Sequence, residues 1–260
     1  MRLIPRIRSR NDYEGSMTLV EHLEELRSRI MRSLIAIAIG GIVGWFLYGH
    51  VITLLLNPYC DYLKTVPAGS QPTTGCHLYF LGAIDGVLIK LKVVLFLGLA
   101  LALPYVLYQL WGFIVPGLTK RERRMAIPFI FFSTLLFLLG CLFAYVTLPK
   151  ALQFLLGFAS GPSNSLVPLL TGDKFLGFVI IVALAFGLSF EFPIVLIFLA
   201  IVGVVSTRKL RDWRRPAYVL IAVFAAVITP SADPYTMCAM MFPMWIFYEA
   251  AILVARFMKK

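Results

Sequence analysis

Three glutamates occupy positions where a carboxylate is unexpected. Glu25 lies in the string His-Leu-Glu-Glu-Leu-Arg-Ser-Arg of residues 22–29, and Glu122 is the single acid among the four bases of residues 120–124. Glu191 lies near the middle of a long apolar stretch, where a charged group is costly and is a functional candidate by default. Carboxylates bind arginine in a bidentate geometry that lysine does not reproduce. Glu25 and Glu122 could therefore each bind one guanidinium group of a ligand.

Each of these glutamates also has a purely structural interpretation. Glu25 and Arg29 are four residues apart and could pair on one helix. Glu122 could compensate the positive charge of its own loop, and Glu191 could accept a hydrogen bond from another helix. The residues alone leave both interpretations open.

The residues around Glu25 predict an amphipathic helix. Thr18 and Glu21 have the spacing of a capping box. Four apolar residues fall on one helical face, and charged residues fall on the other; the apolar ones are Leu19, Leu23, Leu26 and Ile30. We expect this helix to lie at a membrane surface and to continue into the first membrane span.

The elements that position these residues are predicted to be membrane-spanning helices. Of 260 residues, 60% are hydrophobic and 14% are charged, whereas a soluble domain has about 25% charged residues. Six apolar stretches are candidates for the ~20-residue length of a transmembrane helix: 30–48, 93–110, 127–148, 175–205, 216–229 and 235–254. The fold class is therefore an all-α, polytopic membrane protein with six transmembrane helices.

Two of the spans have unusual features. The fourth contains Pro193, which predicts a kink. The fifth would reach only about 21 Å, short of a ~30 Å hydrocarbon core, so we expect short fifth and sixth spans. The turn between them, residues 229–234, then brings Asp233 closer to the hydrocarbon than a loop carboxylate normally lies.

The distribution of basic residues predicts the orientation of the chain. Nineteen of the 24 Lys and Arg residues fall on one side of the six spans, together with both termini. By the positive-inside rule both termini are cytoplasmic, and the outer loops are about residues 50–85 and 149–173. The net charge of +11 then reflects topology and does not indicate nucleic-acid binding.

Residues 1–16 form a basic extension that we expect to be flexible, and residues 17–258 form one six-helix domain.

The first outer loop contains two of the four cysteines, Cys60 and Cys76. A disulfide between them is plausible on an oxidising side of the membrane, and two free thiols are the alternative. Their spacing to the nearest histidines fits no compact set of metal ligands.

No phosphate-binding loop, zinc-protease motif or nucleophile elbow occurs, so we predict no enzyme activity, no cofactor and no metal.

Four strings carry a family resemblance. They are residues 22–29, residues 111–118 (Trp-Gly-Phe-Ile-Val-Pro-Gly-Leu) with the bases that follow, residues 186–193 (Phe-Gly-Leu-Ser-Phe-Glu-Phe-Pro) and residues 229–234 (Thr-Pro-Ser-Ala-Asp-Pro). In this order, over about residues 17–257, the chain resembles the TatC family, the polytopic subunit of the twin-arginine protein translocase. Residues 1–16 and the Cys60/Cys76 pair fall outside the family pattern, and Gly117 stands where many relatives have Ala.

The resemblance implies a receptor for signal peptides that carry two consecutive arginines followed by an apolar stretch. The family's binding site maps onto Glu25, Phe113, Leu118 and Glu122, and its N-terminal motif also includes Arg27 and Arg29. Further matching positions are the intramembrane acid Glu191, the aromatic Tyr145 of the third span, the outer-turn acid Asp233 and the outer-loop proline Pro58.

The resemblance also implies partners, energy source and location. Family members lie in the bacterial inner membrane, assemble with the single-span subunits TatA and TatB, and depend on the proton-motive force to export folded proteins. We expect an oligomer of receptor complexes.

The alternative to a receptor is a protein of another class, an ion- or solute-coupled transporter with Glu191 as its proton carrier, although the chain shows no internal repeat. A purely structural scaffold would leave Glu25 and Glu122 unexplained.

Overall fold

The structure is a computed structural model that describes residues 19–65, 76, 78–114, 126–159, 170–230 and 233–258. Within these ranges the chain forms eight helices and no strand, which confirms the all-α prediction. The helices are α1 (Leu19–Thr65), α2 (Asp85–Ile114), α3 (Ala126–Ala159), α4 (Gly172–Phe190), α5 (Phe192–Ile201), α6 (Thr207–Asp212), α7 (Arg214–Ile228) and α8 (Pro234–Met258). The basic extension, residues 1–16, lies outside the described residues.

Six spans can be assigned to these helices. α1, α2, α3, α8 and the α4–α5 pair are each long and apolar enough to cross a membrane. The sixth is α7, whose 15 residues reach about 22 Å, as the sequence predicted for a short fifth span. Side chains on the outside of the bundle are apolar, for example Phe46 and Ile127, because lipid rather than water would surround them.

Two helices are longer than the sequence predicted. α1 has 47 residues and is about 70 Å long, so the amphipathic segment and the first span form one continuous helix. The prediction of an outer loop over residues 50–85 is wrong for residues 50–65, which are helical, and α3 continues past Pro149 to Ala159. The prolines suggested loops, but Pro58 is fully buried and its neighbours Leu55, Tyr59 and Leu63 pack into the core at helical spacing.

The fourth span is divided at Glu191, as Pro193 predicted. α4 ends at Phe190 and α5 begins at Phe192, and Pro193 has no backbone N–H to continue the hydrogen bonds of α4. α4 is the centre of the bundle, because twelve of its 19 residues are buried. The break therefore places a carboxylate next to the apolar core.

The last two spans pair as a short antiparallel hairpin. Arg214, the first residue of α7, donates from Nη2 to Oε2 of Glu249 at 2.6 Å, and Nε1 of Trp245 donates to the backbone oxygen of Tyr218 at 3.3 Å. α8 has 25 residues, but Glu249 lies level with the start of α7. The part of α8 that lies alongside α7 is thus as short as α7, which agrees with the prediction of short fifth and sixth spans.

Glycines allow two helix pairs to approach closely. A Cβ on Gly98 of α2 would lie 2.6 Å from the backbone oxygen of Ile37 in α1, and a Cβ on Gly40 would lie 2.7 Å from the oxygen of Gly98. In the α3–α4 pair, a Cβ on Gly140 would lie 2.7 Å from the oxygen of Phe186. Small residues at such crossings let helix backbones touch in a membrane. They fix how α1 meets α2 and how α3 meets α4, and the polar groups around Glu25 and Glu191 lie beside these pairs.

Candidate functional site

The first polar site joins the N-terminal part of α1 to the C-terminal part of α2. Arg29 donates to Oε1 of Glu25 from both Nε (2.9 Å) and Nη2 (2.5 Å). Its Nη1 reaches the backbone oxygen of Gln109 at 3.5 Å and Oε1 of the same residue at 3.4 Å. The guanidinium group therefore links a glutamate of α1 to α2.

An aromatic contact joins the two helices at the same end of the pair. The rings of His22 and Phe113 stack with their centroids 4.3 Å apart and their planes 20° from parallel. Gly112, next in the chain to Phe113, leaves room for the Arg29 guanidinium, which a Cβ at this position would contact. Glycine is thus required for the guanidinium to lie against α2.

The carboxylate of Glu25 is only half satisfied. Oε2 is buried and has no hydrogen-bond partner among the described residues. A buried carboxylate oxygen without a donor is costly, and a ligand that supplies a donor recovers that free energy. The carboxylate borders a cavity of about 480 Å³ along one face of α1, lined by Glu21, Glu24, Glu25, Ser28, Arg29 and Arg32.

The structure brings together some of the residues that the sequence proposed for this site. Glu25, Arg29 and Phe113 lie in one cluster, whereas Arg27 is exposed on another face of α1. Leu118 and Glu122 lie outside the described residues. The pairing of Glu25 with Arg29, the alternative interpretation of these residues, is formed.

Two members of the cluster were not predicted. His22 precedes Glu25 by three residues on α1, and Gln109 precedes Phe113 by four residues on α2, so helical spacing from the predicted residues was the available signal. The side chain of Gln109 is buried. Its partner, Arg29, lies on another helix.

The second polar site is the break at Glu191. The hydroxyl of Ser133 on α3 donates to Oε2 of Glu191 at 2.6 Å, and Oε1 is buried without a partner among the described residues. The sequence did not indicate Ser133, which lies 58 residues before Glu191 on another helix. The interhelical hydrogen bond, the alternative interpretation of Glu191, therefore satisfies one of its two oxygens.

The other singled-out residues have local structural contacts. Asp233 directly precedes α8. Its Oδ1 accepts a hydrogen bond from the backbone N–H of Thr236 at 2.8 Å, and its Oδ2 accepts one from the Thr236 hydroxyl. This is an N-cap arrangement, and it explains how a carboxylate is buried in the outer turn. Tyr145 donates from its hydroxyl to the backbone oxygen of Leu54 at 3.1 Å, and Pro58 is buried within α1.

Glu249 has a partner that the sequence did not indicate. Its position on α8 would allow it to snorkel to the surface or to pair with Arg256, about two turns along the same helix. It instead contacts α7, where it accepts from Arg214 at 2.6 Å and from the hydroxyl of Tyr218 at 2.5 Å. Pairing across the hairpin places these groups at one depth, which spacing along α8 does not reveal.

These features define a class of protein. Helices cross a membrane several times, one polar cluster closes the end of a helix pair, and one carboxylate lies at a break inside the bundle. This is the arrangement of a multi-pass membrane protein with polar groups inside its bundle.

Comparison with known proteins identifies the family. Residues 21–243 match the sequence model of the Sec-independent protein translocase protein (TatC), and the chain belongs to this family. It is therefore a component of the Tat protein translocase, and a transport protein rather than an enzyme.

Individual relatives and a solved structure agree with this assignment. The chain is 43% identical over 249 residues to the TatC protein of Frankia casuarinae, with 95% of this chain and 68% of the relative covered. It is 34% identical over 266 residues to TatC of Corynebacterium kroppenstedtii, with 96% of this chain and 64% of the relative covered. A crystal structure of the twin-arginine translocase receptor TatC superposes with a TM-score of 0.72 at 35% identity, covering 92% of this chain and 100% of that one. The chain thus spans about two thirds of the length of the two named relatives.

Proposed function

We propose that the chain is the receptor and core subunit of a twin-arginine translocase. It binds twin-Arg signal peptides at its cytoplasmic face, assembles with the single-span subunits TatA and TatB, and exports folded proteins across a bacterial inner membrane with the proton-motive force. The observation that carries the proposal is the Glu25 carboxylate, in which Arg29 holds Oε1 while Oε2 is buried without a partner among the described residues.

The geometry favours an arginine as the missing partner. Arg29 uses two of its nitrogens on a single oxygen of Glu25, so the carboxylate is held in place while its second oxygen stays available. A guanidinium presents several N–H donors in a rigid plane, and it is less strongly hydrated than an ammonium group. One arginine of the peptide binds Glu25 and the other binds Glu122, while Phe113 and Leu118 contact the apolar part of the peptide.

The proposed orientation follows from the basic residues. Nineteen of the 24 Lys and Arg residues are predicted on the side of the six spans that also holds both termini. The Glu25 cluster lies on this side, at the N-terminal end of α1. A basic surface repels loose cations, so a ligand that also inserts an apolar segment is favoured over a free basic peptide.

Position-specific photo-crosslinking tests the receptor function. A photo-reactive amino acid is placed at Ser28, which lines the cavity beside Glu25, or at Val227, which is exposed near the far end of α7. A twin-Arg signal peptide should crosslink at position 28 and not at 227, and a twin-Lys version should crosslink much more weakly at 28. Equal crosslinking at both positions, or no preference for arginine, would contradict the proposal.

We further propose that Glu191 is a docking point for a polar side chain on a partner helix. Its Oε2 accepts a hydrogen bond from Ser133, and its buried Oε1 has no donor among the described residues. Glu191→Ala should reduce co-purification of TatA and TatB severalfold, while Glu191→Gln, which can still hydrogen-bond, should retain most of it. Signal-peptide binding should be nearly unchanged in both variants.

Ser133→Ala is the matched control for an internal role of Glu191. It removes the contact within the chain but leaves the carboxylate available to a partner. Recovery of the single-span subunits should therefore be higher with Ser133→Ala than with Glu191→Ala. If the two variants lose the partners equally, or if Glu191→Ala loses nothing, the carboxylate is an internal structural contact.

A disulfide between Cys60 and Cys76 is a separate proposal about the opposite side of the bundle. Both thiols are free in the structure, where Cys60 lies in the last two turns of α1 and Cys76 follows that helix. Closing this loop of 16 positions should stabilise the fold by about 3 kcal/mol in the chain-entropy treatment. Mass spectrometry of unreduced, alkylated protein should show the two cysteines linked, and signal-peptide binding should survive reduction. Alkylation of both thiols without a reductant would exclude the bond.

A further inference from the structure

A long apolar groove runs along the outside of the bundle between α5, α7 and α8. Its volume is about 460 Å³. The floor is formed by buried side chains of three helices: Leu210 of α6, Ile221 of α7, and Met244 and Tyr248 of α8. The groove opens sideways between exposed side chains of α7, such as Leu220, so its contents would lie in direct contact with the surrounding bilayer.

The groove has the depth of one leaflet. Along α7 it extends from the first turn to Phe224, ten residues after Arg214, which corresponds to about 15 Å. Half of a ~30 Å hydrocarbon core is also about 15 Å. The inner end is lined by Phe192, directly after the break in the fourth span. The groove therefore begins at the basic surface and ends near the middle of the membrane.

The enclosed part of the groove is narrower than a helix. A volume of about 460 Å³ over a length of about 15 Å gives a mean cross-section of about 30 Å². A helix with its side chains has a diameter of about 10–12 Å and so a cross-section of roughly 80 Å² or more. An extended hydrocarbon chain is the slimmer occupant that these dimensions favour.

The mouth of the groove is cationic. Lys209 is the single charged residue in its lining. The same short segment carries exposed Arg208 and Arg215 and the exposed acid Asp212, whereas the exposed Arg211 does not line the groove. Arg214 is engaged by Glu249 and is not available for a ligand. Trp213, which also lines the mouth, is a residue type that is enriched at the level of lipid headgroups.

We propose that this groove binds an anionic phospholipid from the leaflet on the basic side of the protein. One acyl chain lies in the groove, and the phosphate group contacts Lys209. Basic residues next to membrane helices attract anionic lipids in general. The feature specific to this site is an apolar channel of leaflet depth that starts at one of those residues. The inference does not depend on signal-peptide binding, because the groove is lined by none of the residues assigned to the Glu25 cluster.

Native mass spectrometry of the purified full-length chain tests the proposal. Phosphatidylglycerol or phosphatidylcholine is titrated into detergent-solubilised protein, and the lipid-bound fraction is measured. Wild type should retain phosphatidylglycerol more strongly than phosphatidylcholine. Lys209→Gln should weaken phosphatidylglycerol binding about fivefold, the effect of removing one basic contact to an anionic lipid.

Two further variants separate a groove from a basic surface. Arg211→Gln removes the same charge two residues away from Lys209 without touching the lining, and it should leave binding nearly unchanged. Ala217→Phe places a ring in the groove and should lower the retention of both lipids, with the melting temperature measured without lipid as its folding control. Equal losses in Lys209→Gln and Arg211→Gln, no preference of wild type for the anionic lipid, or unaltered binding in Lys209→Gln would each overturn the proposal.

Discussion

Replacing Gly98 by leucine should prevent α1 from packing against α2, and folded protein should no longer accumulate in the membrane. A Cβ at this position would lie 2.6 Å from the backbone oxygen of Ile37 and 2.8 Å from the backbone nitrogen of Gly41. Both atoms belong to a helix backbone, so neither can move aside as the end of a side chain can. Overpacking typically costs about 1–3 kcal/mol, and we expect a loss at or above the upper end of this range.

Gly86→Leu is the matched control, because it introduces the same side chain into the same helix. Nothing lies within 4 Å of a Cβ on Gly86. Leucine also favours a helix more than glycine does, so Gly86→Leu should be neutral or slightly stabilising. Yield after detergent extraction, size-exclusion behaviour and melting temperature distinguish the variants. Equal melting of the Gly98→Leu and Gly86→Leu proteins would show that the crossing can adjust.

The crossing at Gly98 also determines the geometry of the Glu25 cluster. Arg29 reaches Gln109, 80 residues further along the chain, only because α1 and α2 run alongside each other in this register. A partial separation of the two helices would therefore break the Arg29–Gln109 contact and the stack of His22 on Phe113. In the milder variant Gly98→Ala, signal-peptide binding should be weaker than in wild type, while the yield of folded protein should change less.

Much of the fold was predictable from apolar runs and prolines. The six spans and the kink before Pro193 follow from hydropathy and from the missing N–H of proline. The lengths of α1 and α3 could not be predicted from the sequence. Pro58 and Pro149 suggested loops, but both helices continue past these prolines because their residues pack into the core. Proline marks a weakened helix, and only the tertiary contacts decide whether the helix ends there.

The candidate site was predictable to the extent that its contacts are local. The pairing of Glu25 with Arg29 follows from spacing on one helix. The bond from Ser133 to Glu191 joins residues 58 positions apart, and its existence depends on how α3 is rotated and where it crosses α4. Hydropathy identifies a span but does not indicate which face of it meets a given neighbour. The partner of Glu191 that the sequence did not reveal is therefore Ser133, a small polar residue that its apolar surroundings make inconspicuous in sequence.

Reversing the charge of Glu25 should abolish the binding of a twin-Arg signal peptide at concentrations that saturate wild type. Glu25→Ala removes one charge-assisted hydrogen bond, which is worth about 1.5–3 kcal/mol and corresponds to a roughly 10- to 150-fold weaker affinity. Glu25→Lys also places a second cation beside Arg29, which loses the partner of its Nε and Nη2 groups. The repulsion then acts on both Arg29 and the arginines of the peptide.

Glu24→Lys separates this local effect from the change in overall charge. Glu24 borders the same cavity and is adjacent in sequence, so the variant changes the net charge equally and at nearly the same place. Its side chain is exposed, whereas Glu25 holds Arg29 and buries its second oxygen. Fluorescence anisotropy of a labelled signal peptide should give a small loss for Glu24→Lys and no measurable binding for Glu25→Lys. Equal affinities of the two variants would mean that the peptide senses only the general charge of the surface, and the specific role of Glu25 would be disproved.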